Sequence, residues 1–384
     1  MGSLFIDKRL VLALFMWLFF FIGNASFKGA PLVLLLPFFF AVLIYIKNKK
    51  YKKLELLAVF LVSLVFFIKG ILLDVSYNPY YPSWVVSLFF GYFITAIISD
   101  EFDSSPSIML KRLAQVFLWL LLFIGIGMIL SEADETGRTS FIFGPNMLYR
   151  LVVFLSIPVV AYYLLEDRKL LAAGVISLSF YLVLLSGSKG GVASLLVLLL
   201  SSWHFYQRRI KLVYLISILV LIGLFFSFFS FDLTQNRITD FSRVAIDTQN
   251  HEDSYIRLRP WLYLLFNTDR LDIIGIDHST FMVLFGSHGF KYPHNILLEL
   301  IIFYGVFGLF VAFYMMVKVS IISKNLVISR VAPRHAFYYS ILGAGLGTFL
   351  SGDLGDNGVF IGAIFAFHVS ITSKKIIMMK KEKD

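Results

Sequence analysis

Long apolar runs separated by short polar connections repeat along nearly the whole chain. Such runs are too continuous for strands that alternate between lipid and lumen, and they predict membrane-spanning helices. About twelve spans can be drawn. They are Leu10–Gly23, Ala30–Ile46, Leu54–Leu73, Ser83–Ile98, Leu113–Leu130, Tyr149–Leu165, Leu170–Leu185, Val192–Trp203, Leu212–Phe231, Ile296–Val317, His335–Leu350 and Gly358–Thr372. Several fall short of the roughly 20 residues a perpendicular helix needs, so those are expected to tilt or to be shielded by neighbours. The pair flanking Ser186–Gly191 is the clearest case. One connection stands apart: residues 232–293 are too polar for lipid, and they exceed the roughly 12–15 residues of an ordinary link. Within it Ser254–Asn267 reads as an amphipathic helix, with Asp253 or Ser254 as N-cap and Trp261, Leu262 and Leu265 on its apolar side. Pro260 would bend that helix or end its first turns. Residues 275–293 read as glycine-punctuated loop and short helix. The chain therefore divides into spans one to nine at 1–231, the long loop at 232–293, and the last three spans with a basic tail at 294–384.

Composition agrees with this picture and charge orients it. Hydrophobic residues make up 59% of the 384, mean hydropathy is +0.83, and charged residues are 15%, against roughly 25% in soluble domains. The expected fold class is an all-α integral membrane protein. A net charge of +10 would suit nucleic acid, but the cations gather at helix ends, where membrane topology accounts for them. Alternate connections are basic: Lys47–Lys53, Lys111-Arg112, Arg168-Lys169, Arg208–Lys211, then Lys318, Lys324, Arg330 and Arg334, and finally the tail from Lys374. With Lys8 and Arg9 they lie on one side, which is the cytoplasm by the positive-inside rule, and both termini share it. The first apolar segment leads directly into further helices and reads as a span. The long loop falls outside. There is no cysteine, which excludes disulfides and thiolate ligands. With no His-x-x-x-His or His-Glu-x-x-His spacing either, no metal or cofactor is expected.

External cations that topology does not explain are the informative ones. Lys189 sits in Ser186-Gly187-Ser188-Lys189-Gly190-Gly191, a tight turn between two short spans. Snorkelling would account for it; alternatively, flanking glycines open the backbone and a phosphate rests against the ammonium. Arg257 and Arg259 lie on the amphipathic segment, facing solvent or lipid headgroups, or clamping a pyrophosphate with their planar forks. His294 stands at the mouth of a span, in Tyr292-Pro293-His294-Asn295. It either caps that helix or acts as a general base, since a helix start and nearby arginines disfavour imidazolium. On a regular helix Gly305 falls within roughly 20° of His294 and Gly308 within roughly 40°, a small-residue stripe that lets another helix approach. His278 and His288 read as solvated loop histidines. Asp353 and Asp356, in Gly352–Asn357, pair with the cations or orient an acceptor.

These residues resemble a family. His294-Asn295, nine residues, Gly305, two residues and Gly308 is similar to a pattern of the O-antigen polymerases and ligases of bacterial inner membranes. Arg257-Leu258-Arg259-Pro260-Trp261 resembles the family's Arg-x-x-x-Trp element. Ile274-Gly275-Ile276-Asp277 with Phe281 resembles its Gly-x-Gly-x-x-x-Phe stretch, with Asp277 in place of the second glycine. Ser186–Gly190 is similar to its Ser-Arg-Gly turn, with lysine for arginine. Arg138-Thr139-Ser140-Phe141 followed by Gly144-Pro145-Asn146 is similar to an outer-loop element of many polymerases.

The resemblance implies a GT-C-like, metal-independent glycosyltransferase of the inner membrane, its larger loop periplasmic and carrying short helices. Its donor would be an undecaprenyl-diphosphate-linked oligosaccharide, and a chain-length regulator would be its protein partner. Lys189 and Arg257 would hold the diphosphate, His294 would take the acceptor proton with inversion, and Arg138 and Arg259 would add phosphate or sugar contacts. Tyr292, Asn295 and Asp353 would contact substrate. Polymerase and ligase differ in acceptor, another lipid-linked repeat or the lipid A core; the Arg138–Asn146 segment and the modest outer loop favour polymerase. A lipid-linked polysaccharide transporter without catalysis is the rival from another class. It requires cations along a path through several spans, and Lys69 is the first to examine for it.

Overall fold

The computed structural model describes residues 53–72, 81–131, 145–186, 189–206, 275–285, 295–328, 332–350 and 354–366. Predicted spans are helical where they fall within them, Gly358–Thr372 as far as Ala366; those at 10–23, 30–46 and 212–231 lie outside, as does the amphipathic segment 254–267. The helices are α1 (Lys53–Leu72), α2 (Tyr81–Ser104), α3 (Pro106–Leu130), α4 (Pro145–Leu165), α5 (Lys169–Leu185), α6 (Lys189–Phe205), α7 (His278–Phe285), α8 (Ile296–Ile328), α9 (Arg334–Leu350) and α10 (Leu354–Ala366). No strand occurs among the described residues. α3 and α4 each open on proline, whose missing N–H is no loss in a first turn. Among the described residues, three stretches are long and apolar enough to cross a bilayer: Pro106–Leu130, Leu148–Leu165 and Ile296–Leu326. Large apolar side chains such as Trp119, Phe123, Ile126 and Leu130 on α3, or Phe310 and Phe313 on α8, are exposed. A multi-pass membrane protein leaves such a surface to lipid.

Helix ends shift from the sequence expectation where polar residues continue a helix past its apolar run. α2 extends through Asp100, Glu101 and Asp103, and only Ser105 separates it from α3. The basic pair Lys111-Arg112, expected in a connection, is therefore helical. α10 starts at Leu354, so Asp356 lies in its first turn, where the dipole favours a carboxylate.

The chain forms two compact units. In the first, which holds α1, α2, α7, α8 and α10, α10 packs on α2 and also meets α1 and α8. The α2–α10 contact is backbone on backbone: a Cβ at Gly362 would strike the Leu88 carbonyl and come within 2.8 Å of the Tyr92 nitrogen. Small residues permit this approach, which is how helices associate where lipid is as apolar as the partner. Lys318 of α8 donates its Nζ to the Phe365 carbonyl at 2.9 Å, a cation at the carbonyl end of α10.

The second unit is built on α4, with α5, α6 and α9 around it. Its side chains from Leu151 to Ala161 are buried almost without interruption. Gly343 of α9 faces Val153 and Ile157 of α4 and Val197 of α6, and Ser179 of α5 donates to Ser156 of α4 at 2.6 Å. His204 and His335, buried at the facing ends of α6 and α9, lie 3.1 Å apart between ring nitrogens. The charge alternation puts both of those ends on the same side.

α7 owes its start to Asp277, whose carboxylate accepts from the Thr280 N–H at 2.6 Å and from the Ser279 hydroxyl at 2.9 Å. That is an N-cap, and it explains the departure from glycine noted in the motif. Hydrogen bonds from Thr280 hold this carboxyl below its ordinary 3.8, with smaller contributions from Ser279 and the Lys69 ammonium.

Gly362→Ala should lower the yield of monodisperse protein after heating, an overpacking loss of about 1–3 kcal/mol. Gly174→Ala, where a Cβ meets nothing within 4 Å, should leave it unchanged. Asp277→Ala should loosen α7 by about 1 kcal/mol, read by cysteine labelling at an introduced site in this cysteine-free chain. Because the folded carboxyl titrates below the unfolded one, the cap is fully present above about pH 4 and fades as pH falls through the folded value. Asp277→Asn should keep the cap and abolish that acid dependence.

Candidate functional site

Asn295 begins α8. Its Oδ1 accepts from the N–H groups of Leu297 at 2.9 Å and Leu298 at 3.2 Å, so this candidate substrate contact is an N-cap. Glu299 is buried in the first turn, a carboxylate where the dipole favours one. Nine residues into the helix the regular winding stops. Gly305 has φ 56° and ψ −134°, a conformation essentially reserved for glycine. Beyond it the backbone turns so closely that a Cβ at Gly308 would strike the Leu300 carbonyl. The expected regular stripe through positions 294, 305 and 308 therefore does not form. Both glycines serve the break itself, which leaves a half-helix from Ile296 to Tyr304 and a longer helix beyond.

A break inside a membrane helix frees carbonyls that must find partners in the protein. Here the segment from Gly275 supplies them. Gly275, at φ 73°, lies flat against the half-helix: a Cβ there would come within 2.5 Å of the Phe303 carbonyl carbon, 2.6 Å of the Ile302 oxygen and 2.7 Å of the Gly305 nitrogen. Ile276 then donates its N–H to the Ile302 carbonyl at 2.9 Å. Its own carbonyl accepts from Lys69 Nζ at 3.1 Å, and the same ammonium stands 5.2 Å over the Tyr304 ring. Phe281, fully buried, meets Phe303 edge-on at 5.4 Å, and the His278 ring lies 6.2 Å from Phe303. The glycine and the phenylalanine of one motif thus seat on the glycine break of another.

In the second unit Lys189 is the first residue of α6, and Ser186 is the C-cap of α5. The missing Cβ of Gly191 makes room for Val183 of α5, at 2.5 Å, and Tyr149 of α4, at 3.4 Å, so this glycine serves helix packing. Arg150, beside Tyr149, is 1% exposed and donates from Nε to the Tyr149 hydroxyl at 3.4 Å. His294, Arg257, Arg259, Arg138, Tyr292 and Asp353 lie outside the described residues.

Sequence reading passed over Arg150, Glu299 and the His204–His335 pair, although ionisable side chains within apolar runs are themselves a signal. They were hidden by standing at span ends, where polar residues are routine. What the described site offers chemically is a short helix with its N–H end beside position 294 and its carbonyl end held by a loop and a lysine.

A comparison with curated protein sequences returns no match. Residues 174–313 match the model of a family described as O-antigen ligase. That stretch runs from α5 into α8 and contains Lys189, Arg257, Arg259, the Gly275–Phe281 seat, His294, Gly305 and Gly308; Arg138 and Asp353 fall outside it. Over that stretch, a little over a third of the chain, the sequence is similar to the O-antigen ligase family.

Proposed function

We propose that the protein is an O-antigen polymerase, transferring a growing glycan from undecaprenyl diphosphate to a lipid-linked repeat unit at the periplasmic face. The observation that carries this reading is the seating of Gly275–Phe281 on the break of α8. Two separated motifs of the matched stretch meet there, directly beyond His294 in the chain. The choice of polymerase over ligase rests on the Arg138–Asn146 segment and the modest outer loop.

In this mechanism His294 accepts the proton of the acceptor hydroxyl as its oxygen attacks the anomeric carbon from the face opposite the diphosphate. The bond from the anomeric carbon to the phosphate oxygen breaks, and the diphosphate leaves with the electron pair. Lys189 and Arg257 offset the charge that gathers on it, with Arg138 and Arg259 as auxiliary contacts. Lysine at 189 acts as a point charge where arginine would bind two oxygens at once. Tyr292, Asn295 and Asp353 border the acceptor, Asn295 through whatever its capping carbonyl leaves to the amide. Partners are the lipid-linked oligosaccharide, the bilayer and a chain-length regulator. Both termini lie in the cytoplasm.

A transporter requires cations along a continuous path. The buried cations among the described residues are Lys69, Arg150 and Lys318, and each is hydrogen-bonded within its own unit.

His294→Ala should lower chain growth on lipid-linked repeat units by roughly 10²–10⁴-fold, the range for losing a general base. In cells the lipopolysaccharide profile should collapse to single repeats on the core. A bare core would identify a ligase, and an unaltered ladder would remove His294 from the chemistry. Lys189→Arg should retain turnover and Lys189→Ala should lose it, measured as release of diphosphate lipid.

A further inference from the structure

A half-helix as short as Ile296–Tyr304 has little stability of its own, because isolated helices under roughly 12–15 residues are marginal. Its direction is therefore set by what holds its two ends. Asn295 caps the first. At the second, Ile276 is held from both sides: its N–H goes to Ile302, and its carbonyl receives the ammonium of Lys69 from α1. Lys69 is 5% exposed. A lysine serving only as a span end would extend its head to water, whereas this one turns inward to a loop carbonyl and the ring of Tyr304. Its positive charge lies at the carbonyl end of the half-helix, the end where a cation is favoured. The donor, the loop seat and the half-helix come from three distant parts of the chain. Removing the lysine leaves the other two joined by one backbone bond and the contacts of Phe281 and His278 with the Phe303 ring, of those described here.

We propose that Lys69 is a positioning residue for glycosyl transfer: it holds the Gly275–Asp277 seat on the α8 break and so fixes the direction of the half-helix that begins directly after His294. This deepens the reading of the site given above and rests on it.

The test uses the full chain in lipid nanodiscs with purified lipid-linked repeat units. It compares Lys69→Met, Lys69→Arg and His294→Ala, and adds a second readout that needs no activity. Lys69→Met should lower kcat roughly tenfold or more, as misplacement of a catalytic group does, with KM for the repeat unit held within about twofold. Lys69→Arg should restore most of kcat, since it returns a cationic donor. In parallel, Ile302→Cys reports on the seat, because the Ile302 carbonyl takes the seat's hydrogen bond and the residue is 3% exposed. Its labelling by a maleimide should be roughly tenfold faster in the Lys69→Met background, from the loss of a charged hydrogen bond that opposes local opening. If Lys69→Met does not accumulate, Lys69→Gln, which keeps a donor without the charge, takes its place and should show a smaller loss of the same kind.

Wild-type kcat in Lys69→Met overturns the proposal, and so does a loss confined to KM. Faster labelling without a fall in kcat also overturns it, leaving Lys69 a structural staple. Turnover that survives His294→Ala overturns the role of His294 instead, and the labelling result still decides whether Lys69 holds the seat.

Discussion

In a bilayer every backbone N–H and carbonyl needs a partner inside the protein, and the break at Gly305 is where this chain meets that demand most sharply. A glycine backbone at φ 56° ends one helical segment and starts another, which strands carbonyls in a region without water. The repair comes from a second glycine, Gly275, whose lack of a side chain lets the preceding loop's end lie against the gap. From that contact follow the hydrogen bond of Ile276 to Ile302, the inward turn of Lys69 and the packing of Phe281 on Phe303. Leaving a carbonyl unpaired here would cost several kcal/mol in hydrocarbon. The loop seat is therefore part of how α8 exists at all.

The two compact units solve the problem of helix association in the same way. Neither can rely on a hydrophobic difference between helix and lipid, so each uses bare backbone or small polar groups at the crossing. Gly362 admits α2 to α10, while Gly343 and Gly191 admit the neighbours of α4. Ser156 and Ser179 join α4 to α5 by a hydroxyl pair. The buried ions follow a stricter rule. Lys318 is bonded to a carbonyl at a helix end, as Lys69 is to one in the loop. A charge that cannot reach water is tolerated there because it meets an oriented dipole.

The helices themselves were legible in the sequence, because span length and the placement of Lys and Arg are read from single residues and their spacing. The expected division into spans and one long polar loop falls mostly outside the described residues. The helix ends were less legible: α2 runs through Asp100, Glu101 and Asp103 because a helix does not stop where hydrophobicity does. The pairing of Gly275 with Gly305 was not legible. Both glycines were noted, each within its own motif. Assigning Gly305 to a regular stripe assumed 100° per residue through a position that in fact departs from the helix. Asp277, marked only as a mismatch, proved to be a cap, since an N-cap needs a short acceptor three residues before the donor it satisfies.

By itself the amino-acid sequence determined that this is a helical membrane protein, and which family its matched stretch resembles. These are properties of composition, periodicity and local spacing, and they survive without any knowledge of what touches what. Tertiary structure decided which glycine breaks a helix and which fills the break, and where a buried lysine directs its charge. Those outcomes depend on contacts between positions as distant as 69, 276 and 302, and on φ angles that no neighbouring residue dictates. Close approach of backbones is a property of the assembled chain, because a missing side chain acquires meaning only from the atoms that come to occupy its place.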